Sequence, residues 1–385
     1  MRITGYRLLK TQHDWGRPVG DVNGIVKSGV TEVPIVLVTT DAGLTGVGLG
    51  SATGFAEVFA AIEGEDPRAV TALYDRMINQ VFKAGHGGAV FGAIGALDMA
   101  LWDLKAKAAE TPLWRLLGGR DRVVPGYASG LDVALPDEEL VTLQERFAER
   151  GFRAAKIKAG LDPQTDLRRL GLTQAAYRDL SGATPALMID ANEAWSRKQA
   201  IRHVAKLESE FDLTWVEEPV RRWDVEGHRA VSRSVRAGVA SGENLTGLEQ
   251  YRPLLAAAAV DIVQTGSVWG VTHFLRVAAL AHAFDLPISP VAFNANPLAH
   301  AATAVPNHIA AEVQDLSFPI GLQVDQTFAD GSIVLGDAPG LGITVDEESI
   351  SQHAGAASWA GATGPHVRPE RAGKRLLAEP NPRVS

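Results

Sequence analysis

The sequence predicts an α/β protein in which a parallel (β/α) barrel follows a smaller unit of strands and helices. Three observations carry that expectation. After Gly119, short β-branched and apolar runs alternate with helical segments about every 21 to 32 residues, giving eight strands in about 190 residues. The first fifty residues read instead as antiparallel strands and turns. A length of 385 residues, at roughly 150 per domain, makes about 2.6 domains, which accommodates one barrel with an appendage.

Taken in order, Val33-Pro-Ile-Val-Leu-Val-Thr39, the turn Asp41-Ala-Gly43 and Leu44 to Gly50 form a hairpin. Between it and the first strand, Gln12 to Gly24 is polar, Gly-rich and longer than a hairpin needs, so a mobile lid is expected there. From Phe55 to Leu117 the pattern is helical, with Ala93, Ala96, Leu97, Ala100, Leu101 and Leu104 on one face before Gly118-Gly119 ends it. Barrel strands are expected at Val123–Ala128, Arg153–Lys158, Ala186–Asp190, Thr214–Glu218, Gly238–Glu243, Asp261–Gln264, Leu286–Pro290 and His308–Val313. Short β-like pieces follow at 323–328 and 333–335, and from about Gln352 an Ala-, Gly-, Pro- and Arg-rich stretch reads as a loose tail.

Composition narrows the chemistry. A net charge of −8 with no Lys/Arg block gives no footprint for nucleic acid. Zero cysteines exclude a thiol nucleophile, a disulfide framework and cysteine metal sites. Met1–Tyr6 lacks the apolar core of a signal sequence, and the longest apolar run, Leu254–Val260, is far too short to span a bilayer. A cytoplasmic protein that binds neither membrane nor nucleic acid is therefore expected. Gly46-Val-Gly-Leu-Gly50 lacks the third spaced glycine of a dinucleotide loop and reads as a strand whose small residues let the lid approach.

In a (β/α) barrel the carboxyl ends of the strands carry the active site. The second strand ends in Lys156-Ile-Lys158, and period-two alternation turns both lysines into the barrel. Two buried ammonium groups repel, which is expected to lower a lysine pKa toward that of a general base. The next three strand ends bring Asp190, Glu217 and Glu243, hard oxygen ligands of the kind that suits Mg²⁺. One such residue is ordinarily a surface charge or a helix cap; five at successive strand ends form a constellation.

These motifs, Lys156-Ile-Lys158, Met188-Ile-Asp-Ala-Asn192, Trp215-Val-Glu-Glu-Pro219 and Ser241-Gly-Glu-Asn244, together with Ala93 to Lys105, resemble the enolase superfamily, mandelate racemase subgroup, over residues 1 to about 350. The resemblance implies a (β/α)7β TIM-like barrel over 121–314 and an α+β capping domain over 1–120, completed by about 315–350, with 351–385 as the tail. It implies that Asp190, Glu217 and Glu243 bind Mg²⁺ and that Lys158 removes the proton α to a carboxylate, tuned by Lys156. Glu312 would keep the position of the eighth-strand acid, which donates a hydrogen bond to the developing enediolate. A homo-oligomer is also implied.

Two positions depart from the pattern. Where two-base members place Asp and His at the ends of strands six and seven, this chain has Gly266 and Val291, and neither can carry a proton. The remaining half-site fits dehydration of an acid sugar or related small hydroxycarboxylate to a 2-keto acid. Cycloisomerase or epimerase chemistry on a carboxylate is the alternative, and a non-catalytic carboxylate-binding barrel a third. Candidate substrate contacts are His13 and Arg17 in the lid, Tyr127, Asn192, and Asn294 or Asn296 after the seventh strand; His86 is a candidate second acid, and His273 and His300 are expected to be structural.

Overall fold

In the computed structural model, residues 1–84, 87–160, 162–291, 297–353 and 362–363 are described. The N-terminal strands are β1 (Ile3–Asp14), β2 (Val19–Asp21), β3 (Gly24–Val26), β4 (Val30–Thr40) and β5 (Thr45–Leu49), of which β1, β4 and β5 form an antiparallel sheet in the order β1-β4-β5. Helices α1 (Phe55–Phe59), α2 (Val70–Gln80), α3 (Gly88–Ala108) and α4 (Leu113–Leu116) follow. Most of α3 is buried, because it lies between this sheet and the barrel and is apolar on nearly every side.

The expected lid is more ordered than its polar composition implies. The β1–β4 ladder runs without a break from Gly5↔Thr39 to Asp14↔Val30, so Gln12, His13 and Asp14 are strand residues. Beyond them β2 and β3 pair as a hairpin, and Trp15, Val19 and Val26 pack against Leu131 of the barrel. Those three apolar side chains fix a segment that reads as loop from its glycines and charges. The glycines Gly46 and Gly48 serve helix α3 rather than a lid: a Cβ on Gly48 would stand 1.9 Å from the Ala96 carbonyl oxygen, and one on Gly46 2.3 Å from that of Ala100.

The barrel strands are β6 (Val123–Ser129), β7 (Ala154–Lys158), β8 (Ala186–Asp190), β9 (Leu213–Glu217), β10 (Gly238–Ser241), β11 (Ile262–Gly266), β12 (Ile288–Val291) and β13 (Ala311–Val313). Each pairs in parallel with the next from β6 to β12, and β13 pairs with β6. An Ile288↔His308 bridge and the Ser289 hydroxyl, donating to the Ala310 carbonyl at 2.7 Å, close the ring. Helices α5 (Asp137–Glu149), α6 (Pro163–Ser181), α7 (Arg197–Leu207), α8 (Val225–Ser232), α9 (Leu248–Ala256), α10 (Val271–His282) and α11 (Leu298–Ala302) cover the outside. Among the described residues this is seven βα units and a final strand. No helix among them is long and apolar enough to cross a membrane.

The remaining strands are β14 (Leu322–Val324), β15 (Gln326–Ala329), β16 (Ser332–Leu335) and β17 (Ile343–Val345), with α12 (Glu347–Gln352) after them. β16 extends the barrel sheet by pairing antiparallel with the first half of β6, and the chain then returns to the cap. The tail is not wholly irregular: β18 (Ala362–Thr363) pairs with β3 as the third strand of the lid sheet.

Two buried acids on α3 hold these parts together. Asp103 accepts from the Val47 N–H at 2.8 Å and the Leu341 N–H at 2.7 Å, joining β5 to the returning chain. Asp98 caps α10, accepting from the Thr272 N–H at 2.7 Å and hydroxyl at 2.5 Å. Burial pushes the Asp98 carboxyl up to about 7, against the pull of these hydrogen bonds. Its folded pKa therefore exceeds its unfolded one, so its contribution to stability is lost as pH rises through the interval from about 4 to 7. Urea unfolding of the wild type and Asp98→Asn across that interval should show the difference in their stabilities moving in favour of the variant, by up to roughly 4 kcal/mol. A pH-independent difference would refute the assignment.

Candidate active site

Strand register assembles the site. Lys158, Asp190 and Glu217 are direct partners across β7, β8 and β9, so their side chains leave the sheet at one level. Lys156 lies two residues back on the same face, and Glu312 on β13 is partnered with Tyr127 on β6. Glu243 stands two residues past the end of β10 and is partly exposed, whereas Lys156, Asp190, Glu217 and Glu312 are buried.

Lys156 Nζ donates to Glu217 Oε1 at 2.5 Å and pairs with Glu312 Oε1 at 2.9 Å, with Asp190 Oδ2 at 3.6 Å. Lys158 Nζ donates to Asp190 Oδ2 at 2.6 Å. The expected depression of the lysine pKa is reversed by these contacts. Burial does favour the neutral amines, but the attraction of Glu217 and Glu312 for Lys156, and of Asp190 for Lys158, outweighs both burial and lysine–lysine repulsion, and both ammonium groups are held above their ordinary value.

Further groups orient the carboxylates. Glu217 Oε2 accepts from Gln264 Nε2 at 2.7 Å and Trp215 Nε1 at 3.2 Å. Asn244 Nδ2 bridges Glu243 and Glu218 at 2.9 Å each, and Gln314 Nε2 donates to Glu312 Oε2 at 3.1 Å. Asn192, Glu193 and Glu218 carry positive φ values of 43°, 62° and 41°, so backbone strain collects at these strand ends.

Among the described residues, no group of three or more histidine or acidic side chains stands in a ready ligating arrangement. The reason is visible in the contacts above, since ammonium groups already occupy oxygens of Asp190 and Glu217. The donor set nevertheless fits a hard divalent cation. Burial and repulsion by neighbouring carboxylates push Glu217 up to about 8 and Glu243 up to about 7, whereas the two lysines hold Asp190 below its usual value despite its burial. Such an all-oxygen, mutually repelling set suits a dication.

Other expected contacts fall elsewhere. Tyr127 is fully buried inside the barrel, its ring 5.5 Å from Lys156 Nζ and edge-on to Trp215, so it packs beneath the lysine and does not face the mouth. His13 is buried on β1, with Nε2 2.8 Å from Asp315 Oδ2 and its ring against Trp15, which ties the cap to the segment after β13. Arg17 lies over the Trp15 ring, its terminal nitrogens buried without hydrogen-bond partners. The Asn192 carbonyl accepts from Asn23 Nδ2 at 2.9 Å, joining lid to barrel. His300 and His273 accept the Trp114 and Gly247 N–H groups, as structural residues do. His86, Asn294 and Asn296 lie outside the described residues.

The opposite face of the mouth is built differently. Gly266 and Val291 are strand partners, and both are buried. A Cβ on Gly266 would meet the Glu243 carbonyl oxygen at 2.8 Å and Trp269 Nε1 at 3.1 Å, while that indole donates to the same carbonyl at 2.5 Å. Trp269 thus fills the space a second acid–base group would need. Beside it a pocket of about 770 Å³, open mouth included, is lined by Trp15, Thr31, Val33, Leu49, Met99, Leu131, Val268 and Pro297 among others, from the cap and from loops after β6, β11 and β12.

Sequence reasoning missed Asp132, which follows β6. Its Oδ1 accepts the Lys158 backbone N–H at 2.9 Å and pairs with Arg169 at 3.1 Å, both residues being buried. Nothing local marks it, because its partners are 26 and 37 residues away.

Two family models match the chain: "Enolase C-terminal domain-like" over residues 139–349 and "Mandelate racemase / muconate lactonizing enzyme, N-terminal domain" over residues 25–118. A 3,6-anhydro-α-L-galactonate cycloisomerase of Streptomyces coelicolor is 35% identical over 292 residues, 75% of this chain and 79% of that protein. An L-talarate/galactarate dehydratase of Salmonella typhimurium is 31% identical over 349 residues, 86% of each. Among solved structures, a racemase from Streptomyces coelicolor with bound magnesium superposes with a TM-score of 0.81 at 31% identity, covering 91% of this chain and 99% of that one. The Salmonella dehydratase with Mg and L-lyxarohydroxamate gives 0.79 at 28% identity, covering 90% and 92%.

Replacing Asp132 with Ala removes the counter-ion of the buried Arg169 guanidinium, which keeps the Leu135 and Asp132 backbone carbonyls, and leaves the Lys158 N–H without its acceptor. The variant should lose about 3 to 5 kcal/mol of unfolding free energy in urea. A loss below about 1 kcal/mol would show that the buried pair does not support the lysine strand.

Proposed function

Because the chain belongs to the mandelate racemase subgroup of the enolase superfamily, we propose that it is a Mg²⁺-dependent lyase that eliminates an oxygen substituent β to the carboxylate of a sugar acid. The observation that carries this reading is the one-sidedness of the mouth. Lys158 and Lys156 stand over strands β7 to β9, while Gly266, Trp269 and Val291 offer no proton-carrying group on the far side. Inversion of a stereocentre by a pair of bases has no counterpart to Lys158 among the described residues of that face.

Bound by Asp190, Glu217 and Glu243, Mg²⁺ would supply positive charge that holds the substrate carboxylate, offsets the charge developing on it and removes the attraction that keeps Lys158 protonated. Lys158 Nζ then takes the α-proton. The C–H electron pair moves into the carboxylate to give an enediolate, which re-forms the carboxylate and the C=C bond of an enol as the β C–O bond breaks toward oxygen, and the leaving oxygen recovers a proton from Lys158 on the same face. Lys156, held between Glu217 and Glu312, keeps its charge and positions Glu312 toward the enediolate. The enol tautomerises to a 2-keto acid.

When the leaving oxygen is a hydroxyl the reaction is a dehydration. A second reading, cycloisomerisation, follows when that oxygen belongs to a ring, because it stays attached and the product keeps the substrate's mass. The apolar pocket beside Trp269 and the likeness to a cycloisomerase favour it.

Screening the Mg²⁺-loaded protein against a stereochemically complete set of aldonic, anhydroaldonic and aldaric acids should reveal one that forms a semicarbazide-reactive keto acid. Product mass distinguishes loss of water from ring opening. With that substrate in D₂O, Lys158→Ala should cut α-hydrogen exchange at least 10³-fold, roughly 4 kcal/mol of transition-state stabilisation. Exchange at the wild-type rate would rule Lys158 out as the base.

A further inference from the structure

We propose that the pocket on the face opposite Lys158 is a distal-end subsite that selects monocarboxylates with an uncharged, weakly polar far end and rejects dicarboxylates. The inference rests on the reading above only in treating the lysine–carboxylate cluster as the place where the reacting carboxylate is held. Two of its lining residues are chain neighbours of residues that hydrogen-bond to the backbone of that cluster. Leu131 precedes Asp132, whose carboxylate accepts the Lys158 N–H, and Ser267 follows Gly266, whose N–H donates to the Glu243 carbonyl. A molecule anchored by one carboxylate at the metal-ligand acids and reaching toward β11 and β12 enters it.

The walls define what the far end must be. Trp15, Leu49, Met99, Leu131, Val268 and Pro297 present mainly carbon. The Thr31 hydroxyl on the wall already accepts a hydrogen bond from Trp15 Nε1 at 3.0 Å. Among the described lining residues the charged one is an acid, Glu32, paired with Lys10 at 3.1 Å on the outer side of the sheet, and Arg17, over the Trp15 ring, is not part of the wall. A second carboxylate placed here would lose its hydration and meet hydrocarbon. A methyl, a hydroxymethyl or the carbon edge of a cyclic ether would bury apolar surface without that cost.

The test uses the full-length, Mg²⁺-loaded protein and matched acids of one stereochemical series: the aldonic acid, its terminal deoxy form and the corresponding aldaric acid. Calorimetry should show the terminal deoxy acid and the aldonic acid binding roughly tenfold or more tightly than the aldaric acid. Val268→Arg, which places a cation on the pocket rim, should move the aldarate-to-aldonate affinity ratio by a similar factor toward the diacid. An aldaric acid bound as tightly as its monoacid partners, or a ratio untouched by Val268→Arg, overturns the inference. Because binding is read separately from α-hydrogen exchange, tight monoacid binding without exchange would sink the proposed reaction while supporting the subsite.

Discussion

The architecture is organised around one electrostatic problem: two ammonium groups and at least three carboxylates share the carboxyl end of a sealed barrel. Lys156 alone pairs with Glu217 and Glu312 within 3.0 Å and lies 3.6 Å from Asp190. Charges stripped of water are tolerable only when each meets a partner, and removing one leaves its neighbour stranded. The chain meets this by drawing both lysines from β7 and each carboxylate from a different strand end, so strand register, set by parallel pairing from β6 to β12, decides whether the cluster balances. The surrounding amides of Gln264, Asn244 and Gln314 then spend their donors on the remaining carboxylate oxygens.

That dependence explains what the sequence could disclose. Lys156, Lys158, Asp190 and Glu217 were legible because alternation within a strand and recurrence at successive strand ends are local patterns. Asp132 was not, since its meaning lies in a hydrogen bond to the Lys158 backbone 26 residues on. The raised lysine pKa of the metal-free site is invisible in the sequence for a related reason. Neighbours along one strand are visible in sequence, whereas Glu312 reaches Lys156 across 156 positions only because β13 returns to β6. Tyr127 and His13 looked like contacts at the mouth because their chemistry suits one. Burial beneath Lys156 and pairing with Asp315 are decided by packing.

The cap shows the same division between pattern and packing. Its helical and antiparallel character follows from periodicity, yet its attachment depends on close approach. Gly46 and Gly48 admit the backbone of α3, Asp103 ties β5 to a segment 238 residues beyond it, and Asp98 caps a barrel helix. Trp15, Val19 and Val26 turn a Gly-rich stretch into a folded edge against Leu131, so the part of the chain that looked most mobile contributes a wall.

Trp269 locks the composition of the opposite face. With its indole bonded to the Glu243 carbonyl, any side chain larger than hydrogen at position 266 collides with that carbonyl. Installing acid–base groups on that face would demand that the tryptophan move, that position 266 gain a carboxylate and that position 291 gain a titratable ring, so the three positions form one interlocked unit that no single substitution converts.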